Sequence, residues 1–283
     1  MFKAPKKLTY FSAWFCPFAH RATLALEHHG QEFIHWEWQE ALGWEHGKPP
    51  SGDEAFQAGQ RTDWVYHWKS PELLACNPQG MVPTLLEEQS GRSVTESLVC
   101  VEFIDECARE AGSTKAPLLP LDPFERAHMR IMADRMNKQV TSNYYAALVR
   151  TDEGEREQAF QGILKGLEEF TAFIARKEGA TEDVTLVDCA LFPYAWRLYV
   201  LEHYRGFHVP TGGGSGRGGG KHWSSGYHRW LERVGALESV KKTLPDKERY
   251  LVHVEKYASG RARSKVGNAV RRGKNALAYD DDE

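Results

Sequence analysis

Cysteine is scarce and unpatterned in this 283-residue sequence. Its five cysteines (Cys16, Cys76, Cys100, Cys107 and Cys189) are odd in number, widely spaced and without a Cys-x-x-Cys pair. That excludes a disulfide framework and points to reduced thiols in the cytoplasm. An excess of either charge is also missing. With 36 basic and 39 acidic side chains the net charge is −3, a balance that leaves no electrostatic footprint for a nucleic-acid binder. No uncharged apolar run approaches the ~18 residues of a membrane helix, so neither a membrane nor a nucleic-acid partner is expected. A convincing secretory leader is absent as well. Lys3, Lys6 and Lys7 precede an uncharged stretch over residues 8–19, but Pro17 interrupts it and His20 and Arg21 follow with no cleavage site. The stretch reads as a buried strand running into a helix. Histidines such as His28, His29 and His222 form no ligand set, so no metal is expected.

What is abundant is core material. The chain is 41% hydrophobic and carries nine Trp, 11 Tyr and 13 Phe, and its length suits one large or two modest domains at about 150 residues each. Residues 1–111 alternate short elements. A strand at 8–13 leads to a helix at 17–29, with Pro17 in its first turn and Gly30 just past its end. A half-buried strand follows at 32–39, then a Gly/Pro/polar excursion at 41–68 that is too long for an ordinary connection. A short helix at 71–76, a hairpin from 82–86 and 92–94, and a helix at 96–110 complete the set. This order is the α/β thioredoxin-like arrangement. Pro117, Pro120 and Pro123 mark a linker at 112–122. An all-helical domain is expected at 123–260, with helices at 124–150, 155–177, 186–203 and, in pieces, 223–257. Within it, residues 206–220 form a Gly-rich insertion; Gly214-x-Gly216-x-x-Gly219 matches a dinucleotide fingerprint in form but has no βαβ unit around it. Residues 261–283 read as a solvated charged tail.

Cys16 is the candidate nucleophile. It follows a hydrophobic strand and directly precedes Pro17, which places it at a helix N-cap, where unpaired N–H groups and the helix dipole favour a thiolate. The position of a second, resolving cysteine is taken by Ala19. A mixed disulfide at Cys16 therefore needs an external thiol to resolve it. His20, one turn on, reads as a partly exposed surface histidine. Gly80-Met81-Val82-Pro83-Thr84 puts a proline at a strand start behind Val82, whose backbone can pair with a peptide-like ligand. In thioredoxin-like folds such an X-Pro bond is cis. Glu96 and Ser97 open the next helix. Read alone the pair suits a helix cap; read as a site, Ser97 and nearby N–H groups fit a carboxylate and Glu96 an ammonium, the two charges of an α-amino-acid head.

With Cys16-Pro17-Phe18-Ala19 and Arg21, Asn77-Pro78-x-Gly80-x-Val82-Pro83, and Glu96-Ser97, the chain resembles the glutathione transferase superfamily, and its cysteine-type omega class in particular. Thr185-Leu186-Val187-Asp188 is similar to that family's capping box, with Pro193 and Arg197 following at omega spacing. The resemblance implies a thioredoxin-like domain followed by a helical-bundle domain, with glutathione as cosubstrate. It implies that Cys16 bonds the ligand sulfur beside Phe18, that Lys69 meets the glycyl end, that Val82 and Pro83 hold the cysteinyl backbone, and that Glu96 and Ser97 hold the γ-glutamyl head. A second-substrate pocket between the domains has Tyr144, Trp196 and Arg197 as candidates, with Tyr145 and Tyr199 beside them. Aromatic stripes at this spacing usually belong to a core, and only Arg197 has the resemblance behind it. The excursion at 41–68, the Gly-rich loop and the charged tail depart from the family pattern.

The expected activity is thiol transfer: removal of glutathione from a small aromatic or glutathionylated substrate through a Cys16–glutathione mixed disulfide, with dehydroascorbate reduction open to the same chemistry. Rival readings are a glutathionyl-hydroquinone reductase-like enzyme, whose motif has tryptophan in place of Phe18, and a noncatalytic carrier of aromatic ligands. Conjugation of glutathione to electrophiles is a third, needing a hydroxyl such as that of Tyr10 or Ser12. A homodimer is left open.

Overall fold

The computed structural model describes residues 2–46, 65–176, 183–211 and 222–277. The fingerprint-like glycines 214–219, most of the 41–68 excursion and the acidic end at 280–283 lie outside them.

The first third builds a layered α/β unit. Strand β1 (Lys7–Ser12) leads into α1 (Pro17–His29), β2 (His35–Glu40), β3 (Leu42–His46), β4 (Val65–Lys69), α2 (Pro71–Cys76), β5 (Thr84–Glu87), β6 (Ser93–Val94) and α3 (Ser97–Glu110). One sheet has the order β2-β1-β5-β6, with β1 parallel to β2 and the other neighbours antiparallel. Leu8, Tyr10 and Phe11 are buried in it, and α1, with Ala19, Ala22 and Leu26 buried, packs against α3 and the later helix Leu186–Ala195. Pro17 sits in the first turn of α1, and Gly30 closes the helix at φ +82°, where a Cβ would be strained.

The excursion is not all irregular. Its two described ends pair as an antiparallel ribbon, β3 with β4, in which Leu42 lies opposite Lys69. The alternation Leu42, Trp44 against Gly43, Glu45 is a strand period that the surrounding Gly and Pro residues obscure.

The rest is helical: α4 (Pro123–Met136), α5 (Ser142–Val149), α6 (Glu153–Ala175), α7 (Leu186–Ala195), α8 (Leu198–Arg205), α9 (His222–Ala236), α10 (Glu238–Lys241) and α11 (Lys247–Ala258). The helix expected at 124–150 is widened by a π-turn at Asn137–Thr141. That at 186–203 breaks at Trp196 and Arg197, where the Arg197 N–H donates to the Tyr194 carbonyl and the Arg197 guanidinium to the Pro193 carbonyl. The expected capping box forms: Thr185 and Asp188 exchange side-chain and backbone bonds, and Asp188 accepts a further bond from Trp230 Nε1 at 2.6 Å.

The solvated tail is a correction. Residues 262–270 are largely buried. Strand β7 (Ala262–Arg263) adds to β4 in parallel, pairing Val65 with Ala262 and Tyr66 with Arg263. Helix α12 (Lys265–Arg271) follows, capped by Ser264, whose hydroxyl accepts from Gly267 N–H at 3.0 Å. Val266, Ala269 and Val270 at helical spacing supply its buried face. Basic residues around that short apolar pattern hid it from a composition-based reading.

Candidate functional site

Cys16 is the N-cap of α1, with extended backbone (φ −77°, ψ 117°) and its side chain half-buried. Its S–H points to the Val82 carbonyl at 3.9 Å, and the Val82–Pro83 peptide bond is cis. The thiol faces a cavity of about 510 Å³, lined also by Phe18, Lys69 and Val82 and by Tyr144 and Tyr145. The volume lies in the range of small-molecule sites.

A smaller cavity of about 60 Å³ adjoins it, sharing Phe18, Met81 and Val82, and its wall includes Pro83, Glu96 and Ser97. The structure thus gathers all seven residues expected to bind glutathione or its sulfur into two adjoining hollows. Ser97 is buried, and its hydroxyl accepts from Arg21 Nη1 at 3.1 Å, which leaves its own proton for an anionic ligand. Glu96 is held at φ +66°, a conformation costly for a residue with a Cβ. Lys69 Nζ donates to the Gln79 carbonyl at 2.8 Å and lies against Gly80. Burial first, and the Lys265 charge second, push its pKa down to about 8.

The electrostatics of Cys16 differ from the sequence expectation. Burial pushes the thiol up, and it outweighs the pull of the Phe18 and Ala19 N–H groups and of the Arg197 and Arg21 guanidiniums. The helix terminus acts in the expected direction without prevailing. Burial likewise raises the Cys100 thiol, and that of Cys107 up to about 12.

The second-substrate candidates divide. Tyr144 and Tyr145 line the main cavity, whereas Trp196, Arg197 and Tyr199 do not. Arg197 is fully buried behind it. Its Nη1 donates to the Pro193 carbonyl at 2.7 Å and to His20 Nδ1 at 3.0 Å, and its guanidinium lies 4.7 Å from the centre of the Tyr250 ring. His20 is therefore no surface residue. Since an arginine only donates, His20 carries its proton on Nε2 and gives it to Thr243 Oγ1 at 2.7 Å. Burial, helped by Arg197, holds this imidazole neutral. Tyr10 and Ser12 line neither cavity; the Tyr10 hydroxyl is spent on the Ala19 carbonyl at 2.7 Å.

Sequence reasoning missed the far wall. Tyr250, His253 and Tyr257 of α11, and Arg263, Lys265 and Asn268 of the C-terminal segment, all face the main cavity, and Leu277 borders the smaller one beside Glu96 and Ser97. An aromatic at 250, 253 and 257, spaced by three and four, was the available signal. His67 also contributes, its pKa lowered by burial to about 3, so that it is neutral.

Comparison with known proteins agrees with this fold. The family profile described as "Glutathione S-transferase, N-terminal domain" matches residues 15–107. Glutathione S-transferase U25 of Arabidopsis thaliana is 32% identical over 196 residues, spanning 66% of this chain and 77% of that protein. Among solved structures, glutathione transferase Omega 3C from Trametes versicolor superposes with a TM-score of 0.65 at 26% identity, covering 91% of this chain and 93% of that one. Rice GST1, solved in complex with glutathione, shares the fold with a TM-score of 0.66 at 23% identity, covering 91% of this chain and 98% of that one.

Proposed function

The chain belongs to the glutathione S-transferase family, and we propose that within it this protein is a cysteine-dependent, omega-like thiol transferase of the cytoplasm, with glutathione as its cosubstrate. The observation that carries the reading is the position of Cys16: a half-buried thiol at a helix N-cap, opening into a ligand-sized cavity and flanked by the Val82 carbonyl.

The chemistry proceeds in two exchanges. Cys16 thiolate attacks the glutathione sulfur of a mixed disulfide R–S–S–G, forming Cys16–S–S–G and expelling R–S⁻, which takes up a proton. A second glutathione thiolate attacks the Cys16 disulfide at the Cys16-bound glutathione sulfur, giving glutathione disulfide and restoring Cys16 thiolate. The net change is R–S–S–G plus glutathione to R–SH plus glutathione disulfide. Lys69, Val82, Glu96 and Ser97 hold the tripeptide along the two cavities. Arg197 and Arg21 oppose the cost of charge on sulfur.

A second reading, the noncatalytic carrier, gains from the raised Cys16 pKa, since a carrier needs no thiolate. Turnover decides between them. A glutathionylated peptide and dehydroascorbate should be reduced with glutathione, and an aryl chloride conjugated poorly. Conjugation without disulfide reduction would favour the electrophile-conjugating activity, and neither would favour the carrier.

A further inference from the structure

The main cavity is electrostatically one-sided. Lys69, Arg263 and Lys265 all line it, and among the described residues no Asp or Glu does. The imidazoles of His67 and His253 on the same wall are neutral, held so by burial, and their Nε2 atoms are buried without hydrogen-bond partners. The Lys265 charge helps to press the Lys69 pKa down, and a bound anion relieves that repulsion.

The cations fall on two structural units. Lys69 leans on Gln79 and Gly80, in the loop that also shapes the smaller cavity with Met81 and Val82. That is the glutathione side, and one glycyl carboxylate accounts for Lys69. Arg263 and Lys265 belong to β7 and α12, on the wall that also carries Tyr257 and Val266. Lys265 is half-exposed, close enough for its charge to act on Lys69. Glutathione at the Lys69 side leaves Lys265, with aromatic surface next to it, for the other half of the substrate.

We propose that the second substrate is an acidic aromatic compound, a glutathione mixed disulfide whose other half is a ring bearing a carboxylate or comparable anion, held by Lys265 over the Tyr145 and Tyr257 rings. This specificity rests on the thiol-transferase reading of Cys16. It also accounts for the added C-terminal segment, since α12 brings the charge that selects the substrate.

Two matched pairs of probes test it. The glutathione mixed disulfides of 4-mercaptobenzoate and 4-mercaptobenzamide differ in charge and hardly in size. With each rate divided by its uncatalysed exchange with glutathione, the wild-type protein should favour the benzoate at least about tenfold in kcat/KM, through KM. Lys265→Gln should cut that preference below about threefold, and Lys265→Arg should keep it. Equal turnover of the two, or a preference untouched by Lys265→Gln, overturns the proposal. Binding of 2-naphthoate and 2-naphthamide to Cys16→Ser protein, followed by calorimetry, needs no turnover. The naphthoate should bind about tenfold tighter, and equal affinities again overturn the proposal. Naphthoate selectivity in a protein whose turnover survives Cys16→Ser would sink the thiol-transferase reading alone; Cys16-dependent turnover with no charge preference would sink the specificity alone.

Discussion

Arg21 and Ser97 are joined by a 3.1 Å hydrogen bond between a fully buried guanidinium and the hydroxyl that opens α3. The same guanidinium donates to the Ala190 carbonyl at 3.1 Å, to Asn137 Oδ1 at 3.0 Å and to Thr141 Oγ1 at 2.8 Å. One side chain thus ties the α/β layer to the π-turn and α7, and orients a ligand-binding hydroxyl in doing so. Asn137 and Thr141, four apart on the π-turn, accept from the same nitrogen.

Arg21→Met should therefore do two things at once. A lost hydrogen bond to a charged group costs about 1.5–3 kcal/mol, and the abandoned acceptors stay buried. The urea midpoint should drop with the slope unchanged, and glutathione affinity should fall because Ser97 is no longer held. Arg21→Lys should recover little of either, since one ammonium cannot span four acceptors. A variant as stable as wild type would contradict this role.

Glu96 separates backbone cost from ligand binding. Glu96→Gly removes a penalty of roughly 1–3 kcal/mol for its positive φ, less about 0.4–1 kcal/mol of added freedom in the unfolded chain. Its thermal midpoint should be unchanged or higher while glutathione binds about ten- to a hundredfold more weakly, the loss of one charge-assisted bond. Ser97→Ala should weaken binding similarly. Unaltered calorimetric affinity in both variants would reduce the pair to a helix start.

The Cys16 thiol is pushed up, so its thiolate is the minor form at neutral pH and grows as pH rises through the folded value. Iodoacetamide labelling of Cys16, read by peptide mapping, should have its midpoint above the ~8.5 of a free thiol. Deleting residues 261–283 opens one wall of the cavity and should bring that midpoint down and speed labelling at pH 7. A midpoint below 8.5 in the full chain would show that the helix terminus and the two arginines prevail over burial.

Lys69 gives a second pH signature. Its pKa of about 8 in the free protein lies below the usual lysine value, so the ammonium is present below pH 8 and lost as pH rises past it. Glutathione affinity should fall accordingly between about pH 7 and 9. Lys265→Gln removes a neighbouring positive charge and should move the inflection upward. A flat affinity across this interval would free Lys69 of any contact with the glycyl carboxylate.

Much of the site was legible because short local patterns specify it. Cys16 before Pro17, Val82 before Pro83 and Thr185 three before Asp188 each encode a backbone geometry within a few residues, and each geometry is present. What escaped depends on contacts far apart in sequence. Val65 pairs with Ala262, and His20 meets Arg197 and Thr243, across more than half of the chain. Nothing near residues 261–277 announces that basic side chains there will face a cavity rather than water. Arg197 shows the converse: its place in the motif is legible, yet it serves behind the cavity wall, on His20 and the Tyr250 ring.

The most direct test of the central claim follows glutathione onto the protein. Protein treated with a glutathionylated peptide and quenched with acid should carry glutathione on Cys16 by peptide mass mapping, and free glutathione should then release it as glutathione disulfide. Cys16→Ser should lose nearly all glutathione-dependent turnover of the same peptide, because a neutral hydroxyl is a far poorer nucleophile toward a disulfide than a thiolate. Undiminished turnover in that variant, or glutathione found on Cys76 or Cys107 in place of Cys16, would contradict the account.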